Sequence, residues 1–279
     1  MRIFSLLVVA MVLVPVGDAP AAKTSASLIL FDQWVGPGEA VRLRARLISR
    51  VGFIIQSAVS GERVEFQVDG QVIEPVLTGG DGLAMAPYHL SKEGAYTIKA
   101  RLIGNPRYEA QEVEALLLYG RLGRNVVVVD VDATKTRSES PRFPFLPSPP
   151  RERMPKVNQV LDELSKQYQL VYYHNGREAE LPEMRRWLKE QKFPRTLFFV
   201  WHLSERVETR TEQMIEHLNE LKSSARLFLG ITRSPADVRA FLSVGMKGLL
   251  FLEDEDTAIP ERARMITDWD TLSSLMKGS

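Results

Sequence analysis

Two rhythms divide the chain. From about Thr24 to Tyr119, apolar and polar residues alternate with a period of two. The run VRLRARL (41–47) puts Val41, Leu43, Ala45 and Leu47 on one face and three arginines on the other. RVEFQV (63–68) does the same with Val64, Phe66 and Val68. Such alternation marks strands with one buried face. Asp69-Gly70 then reads as a hairpin turn, because both residues tolerate positive φ, and TGGDG (78–82) reads as a second turn. YTIKARL (96–102) and EVEALLLY (112–119) complete the series. Short alternating strands separated by turns predict an antiparallel sandwich.

From Gly120 the rhythm changes. NVVVVDV (125–131) is a continuous apolar run, as in a strand buried on both faces. A proline-rich loop follows (138–155). KVNQVLDELSKQY (156–168) has helical spacing at Val157, Val160, Leu161 and Leu164. Strands are expected at 169–174, 195–201, 225–231 and 248–252, and helices at 181–191, 209–223 and 234–245. Pro182 and Pro235 fall in the first turns of their helices, and Gly245 follows the last. Alternating strands and helices predict βαβ units and a Rossmann-like parallel sheet.

The first residues follow neither rhythm. Arg2 precedes an apolar run from Ile3 to about Val16, and Ala19 and Ala21 in APAA fit a small-residue cleavage site. The run is shorter than the roughly 20 residues that span a bilayer. The expected organisation is therefore a signal peptide (1–21), a β-sandwich (22–119) and an α/β domain (120–279). The expected location is periplasmic or secreted.

The 279 residues carry a net charge of +1, which gives no electrostatic footprint for nucleic acid. There is no cysteine, so neither disulfides nor a lipid-modified cysteine is available. No motif sets an oligomeric state.

The candidate chemistry lies where the first strand of the α/β domain ends. Asp130 and Asp132 stand one residue apart, followed by Thr134, in VVVVDVDAT. Ligands of open parallel sheets bind beyond the carboxyl ends of the strands. One aspartate there can attack phosphorus. Another can protonate the leaving oxygen and later deprotonate water. Mg²⁺, which prefers oxygen ligands, would neutralise charge. The plainer reading of the pair is a strand-end turn capped by an aspartate.

These residues resemble the haloacid dehalogenase superfamily over about 124–252. VVVVDVDAT with LVYYHNGRE and SPADVRAFLSVGM (234–246) is most similar to lipin-type phosphatidate phosphatases. The resemblance implies Asp130 as nucleophile and metal ligand. It implies Asp132 as general acid/base with its carbonyl on the metal, and Asp237 as a further metal carboxylate. Thr134, Asn175 and Arg177 are the implied phosphate-binding residues, and Mg²⁺ the cofactor. The pattern departs from the family in three ways. Asn175 replaces a hydroxyl residue, Thr232 and Arg233 replace a Gly-Asn or Gly-Asp pair, and no lysine falls at the expected third motif. Arg210 and Lys222 stand at the two ends of the relevant helix. The first domain, through VEFQVDGQ and KEGAYTIKARL, resembles bacterial immunoglobulin-like domains.

Arg142, Arg151 and Arg153 in the proline-rich loop suit an anionic substrate. Phe143, Phe145 and Leu146 offer an apolar face to a lipid or membrane surface, or fold back onto the sheet. EDED (253–256) reads as a solvated loop. His89, His174, His202 and His217 do not make a zinc spacing. Two functions stand. One is an exported Mg²⁺-dependent phosphatase acting on a phosphorylated small molecule or lipid such as phosphatidate. The other is a catalytically impaired relative that binds a ligand or envelope partner without turnover.

Overall fold

The computed structural model describes residues 24–51, 55–105, 107–121, 123–136, 152–174, 176–200, 210–251 and 260–277. The expected signal peptide, Asn175, Arg142, Arg151, His202, EDED and the loop aromatics lie outside these.

The first half is all-β. Its strands are β1 (Thr24–Leu30), β2 (Gln33–Val35), β3 (Val41–Val51), β4 (Ile55–Ala58), β5 (Arg63–Val68), β6 (Gln71–Val72), β7 (Val76–Leu77), β8 (Leu83–Tyr88), β9 (Gly94–Leu102), β10 (Tyr108–Glu109) and β11 (Val113–Tyr119). One sheet runs β10-β1-β3-β4 with β8 also on β3. The other runs β2-β11-β9-β5-β6 with β7 on β5. The predicted face of β3 is realised, with Val41, Leu43, Ala45 and Leu47 all buried. They pack with Phe66, Ile98 and Leu117 from the opposite sheet. Asp69 and Gly70 both take positive φ, 45° and 89°, and turn β5 into β6.

The second half is α/β. It comprises β12 (Asn125–Asp130), a 3₁₀ turn (Val131–Thr134), α1 (Val157–Gln167), β13 (Gln169–His174), α2 (Leu181–Glu190), β14 (Leu197–Val200), α3 (Arg210–Ser224), β15 (Arg226–Thr232), α4 (Pro235–Ser243), β16 (Lys247–Phe251), β17 (Arg264–Ile266) and α5 (Trp269–Lys277). All six strands pair in parallel, in the order β14-β13-β12-β15-β16-β17. From β12 the chain first builds outward through β13 and β14, then returns to build the other side from β15. The strand order therefore reverses between β12 and β15, which is where sheets of this kind open a crevice.

Two points of the sequence reading need correction. The first strand stops at Asp130 rather than 131, because the Asp130 side chain accepts the Asp132 N–H at 2.8 Å and bends the chain into the 3₁₀ turn. The two aspartates are thus neighbours through a turn, and the plainer capped-turn reading is realised as well. Strand β17 and helix α5 were not anticipated. They extend the sheet edge and seal it with Trp269.

The arginine face of β3 turns toward the second domain. Arg46 makes two 2.7 Å bonds to the Glu178 carboxylate, just after β13. Ile29, Phe31 and Ile48 join the same apolar cluster as Val127, Tyr172 and Phe198. Buried Asp32 stands at the centre of this contact. It accepts the Leu116 N–H at 2.6 Å and the Phe198 N–H at 2.7 Å, with Arg185 at 3.0 Å. Phe198 belongs to β14, the edge of the parallel sheet, so the sandwich occupies an edge that would otherwise offer free amides.

Candidate active site

The crevice between β12 and β15 is built from strand ends and a helix start. Burial on both faces makes β12 a rigid support; Val126 to Val129 are all buried. At its end Asp130 is 3% exposed. Its Oδ1 is held by the Asp132 N–H, and its Oδ2 accepts the Thr232 hydroxyl at 3.0 Å. Thr232 ends β15. The chain then enters α4, capped by Ser234, whose Oγ accepts the Asp237 N–H at 3.2 Å. A first-turn aspartate is favoured by the helix dipole, and the short loop brings that carboxylate back over β15. Asp237 Oδ2 accepts the Tyr173 hydroxyl at 2.9 Å and lies 3.4 Å from Thr232 Oγ1. Helix α4 can sit this close because Gly230 is bare. A Cβ there would lie 2.2 Å from the Phe241 ring.

Asp130 and Asp237 thus meet on one hydroxyl. Asp132 lies beside them in the 3₁₀ turn with its side chain 36% exposed, open to solvent where Asp130 is not. Its partner is a residue the sequence reading passed over. Lys135 is almost fully buried, with Nζ 3.0 Å from Asp132 Oδ1. The only sequence sign was a lysine three residues after an aspartate, the spacing of one helical turn. Tyr173 and Thr232 were also missed as site residues, though both lie at or near the ends of strands that flank β12.

Other expected residues are placed differently. Thr134 is fully buried and its hydroxyl donates to the Val131 carbonyl at 2.6 Å. It closes the turn rather than facing a phosphate, because the 3₁₀ geometry directs the hydroxyl back onto the chain. Arg177 is exposed at the start of the turn after β13. Lys222 donates to the Val244 carbonyl at 3.2 Å. It sits at the end of α3, which leads into the start of β15, so it belongs to the end of the sheet opposite Asp130. Arg153 donates to the Gln191 carbonyl at 2.8 Å. His174 pairs with Glu180 at 2.8 Å. A cavity of about 500 Å³ lies elsewhere, between the sandwich and the parallel sheet, lined by Phe31, Trp34, Arg42 and His217 among others.

Burial pushes the Asp130 carboxyl up to about 7, and the charges of Asp132 and Asp237 add to that effect. Its unfolded value is near 4. As pH rises from about 4 to 7, the unfolded chain releases this proton while the folded chain keeps it, so Asp130 costs progressively more stability. Asp130→Asn cannot titrate, and the Thr232 hydroxyl can turn to accept from the new amide. In chelator, the variant should gain on the parent across that range, by up to about 4 kcal/mol at pH 8. Thermal melts of both proteins at pH 4.5 and pH 8 check this; an equal difference at the two pH values would contradict it.

The donor set suits Mg²⁺. Two converging carboxylates, Asp130 and Asp237, offer oxygen donors, and Mg²⁺ is commonly held by one or two carboxylates with water or phosphate completing the shell. Among the described residues no three His, Asp or Glu side chains are grouped to hold a metal, so carbonyl and water would be part of any such shell.

No protein-family model matches the chain, and no curated protein matches it. Solved structures with a similar fold include haloacid dehalogenase superfamily hydrolases and immunoglobulin- or fibronectin-like domains. One is D,D-heptose 1.7-bisphosphate phosphatase from B. bronchiseptica, complexed with magnesium and phosphate. It is 15% identical, with a TM-score of 0.43 over 56% of this chain and 99% of that one. Another is a haloacid dehalogenase-like hydrolase from Xanthomonas campestris, 20% identical with a TM-score of 0.36, covering 47% of this chain and 56% of that one. On the sandwich side, fibronectin(III)-like modules of CbhA from Clostridium thermocellum are 15% identical with a TM-score of 0.26, covering 35% of this chain and 47% of that one. These are likenesses of chain course, and no activity is carried over from them.

Proposed function

We propose that the α/β domain is a phosphoric monoester hydrolase of haloacid dehalogenase type, exported with its sandwich, and that it works through an aspartyl-phosphate. The observation that supports this reading is the meeting of Asp130 and Asp237 on the Thr232 hydroxyl, at the point where the strand order reverses. An Asp130 oxygen attacks phosphorus and the ester P–O bond breaks. Asp132, which is solvent-accessible, gives its proton to the departing oxygen. Water then attacks the aspartyl-phosphate, Asp132 takes the proton back, and inorganic phosphate leaves. Asp130, Asp237 and the Asp132 carbonyl are the residues that would hold Mg²⁺, which supplies positive charge to offset that of the phosphoryl group. Thr232 and Tyr173 orient the two buried carboxylates.

A phosphorylated lipid such as phosphatidate is the substrate we favour, from the resemblance of the strand-end motif. The test is phosphate release in Mg²⁺ from phosphatidate, from a soluble alkyl phosphate and from p-nitrophenyl phosphate. The leaving groups separate the roles. Aryl oxides depart without help, whereas alkoxides need a proton. Asp132→Asn should slow alkyl substrates on the order of 10²–10⁴-fold and p-nitrophenyl phosphate far less. Equal slowing of both would remove Asp132 from the acid's role. Phosphate bound but never released from any substrate would favour the non-catalytic binding protein.

A further inference from the structure

We propose that Lys135 is the resident cation of the site, a positioning residue that holds Asp132 in place and offsets the carboxylate charge so that a phosphoryl anion can enter. The proposal rests on the reading of the site as one that binds phosphate, and adds the source of its fixed positive charge.

The argument starts from the cost of burial. An ammonium taken out of water is strongly destabilised unless its charge is answered. Lys135 is only 3% exposed. Around its Nζ are the Asp132 carboxylate at 3.0 Å, the Met184 sulfur at 3.3 Å and the Trp187 ring, centred 5.4 Å away. Met184 and Trp187 are three apart on α2, so they form one wall. That wall is apolar or softly polar and directs the charge toward Asp132, which is the open side.

The backbone is fixed as well. Met154 N–H donates to the Thr134 carbonyl and Thr136 N–H to the Glu152 carbonyl, both at 2.8 Å, and Lys135 bridges Arg153 between them. The backbone on either side of the lysine is therefore tied to the 152–154 segment. Its stem is held by the wall and its head by one carboxylate. An ammonium has three protons to donate, so the head can keep Asp132 and still meet an incoming oxygen.

Charge supplies the second half. Among the described residues, three carboxyl groups gather here, Asp130, Asp132 and Asp237, and the Lys135 ammonium is bonded to one of them. Removing that ammonium takes a fixed positive charge from the mouth of the crevice, and a phosphate would meet a more negative site.

An electrostatic part has a signature that a structural part lacks, because it acts on anions and cations in opposite senses. Calorimetric titrations of the full chain, with MgCl₂ alone and with inorganic phosphate in saturating Mg²⁺, read both. In Lys135→Met, phosphate should weaken about tenfold or more while Mg²⁺ tightens severalfold. Lys135→Arg keeps the charge and should hold phosphate within a few-fold of the parent. Lys99→Met, an exposed sandwich lysine paired with Glu112, should change neither. If Lys135→Met does not fold, Asp132→Asn reads the same balance from the other side: it releases the lysine and should tighten phosphate. Weakening of both ions in Lys135→Met, or no tightening in Asp132→Asn, overturns the proposal. Phosphate bound equally by parent and Lys135→Met overturns it alone and leaves the phosphatase reading standing. A parent that binds no phosphate in Mg²⁺ overturns both.

Discussion

Asp130→Asn should abolish phosphate release, on the order of 10⁴-fold or more, the scale seen when a nucleophile is removed. An amide nitrogen or oxygen is a poor nucleophile toward phosphorus, and a neutral group also binds Mg²⁺ weakly. The usual objection to such a result is that the variant has unfolded. Here the two effects run in opposite directions. Asp130 is buried beside two other carboxylates and its carboxyl is pushed up to about 7, so in chelator the neutral variant should be the more stable protein at pH 8. Loss of turnover with a raised melting temperature would assign the loss to chemistry. Turnover retained within tenfold, measured on the alkyl and aryl substrates together, would remove Asp130 from the nucleophile's role.

That reading depends on positions that were unevenly legible in the sequence. Strand 169–174 was placed to the residue, because QLVYYH is an apolar run that follows an amphipathic helix directly. The end of β12 was misplaced by one residue. Val131 continues the apolar pattern, and only the Asp130 side chain, bonded to the next turn, shows why the strand stops. Three-residue β17 has exposed Arg264 and Met265, which leaves no period to detect. Asp237 was legible as a helix-start acid but not as a neighbour of Tyr173, because their contact arises from strand order. Lys135 was passed over. Its burial is imposed by Met184 and Trp187, far along the chain, so no local pattern could announce it. Thr232 was noted only as a departure from a family motif; in the fold it is the hydroxyl on which both carboxylates converge.

The joint between the domains was invisible for a related reason: its key acceptor is answered largely by backbone amides. Asp32→Ala should destabilise the protein by about 3–5 kcal/mol, the scale of breaking a buried charged network by removing one partner. The truncation strands the Leu116 and Phe198 N–H groups and leaves Arg185 without its nearby carboxylate. Each stranded buried amide costs roughly 1–3 kcal/mol. Arg185→Met should cost less, since Asp32 keeps both amide donors, and the two changes together should fall short of their sum because they share one network. The manner of unfolding is the sharper readout. Asp32 ties β14 to the sandwich, and Arg46 ties the turn after β13 to the same domain through Glu178. The parent should therefore unfold in one calorimetric transition. Asp32→Ala should split it or broaden it, and should aggregate more readily on heating because the β14 edge loses its cover. A variant that melts within 1 kcal/mol of the parent in a single sharp transition would show that the apolar contacts of Ile29, Phe31 and Ile48 hold the domains together unaided. In that case the sandwich would be a neighbour of the site and not part of its scaffold.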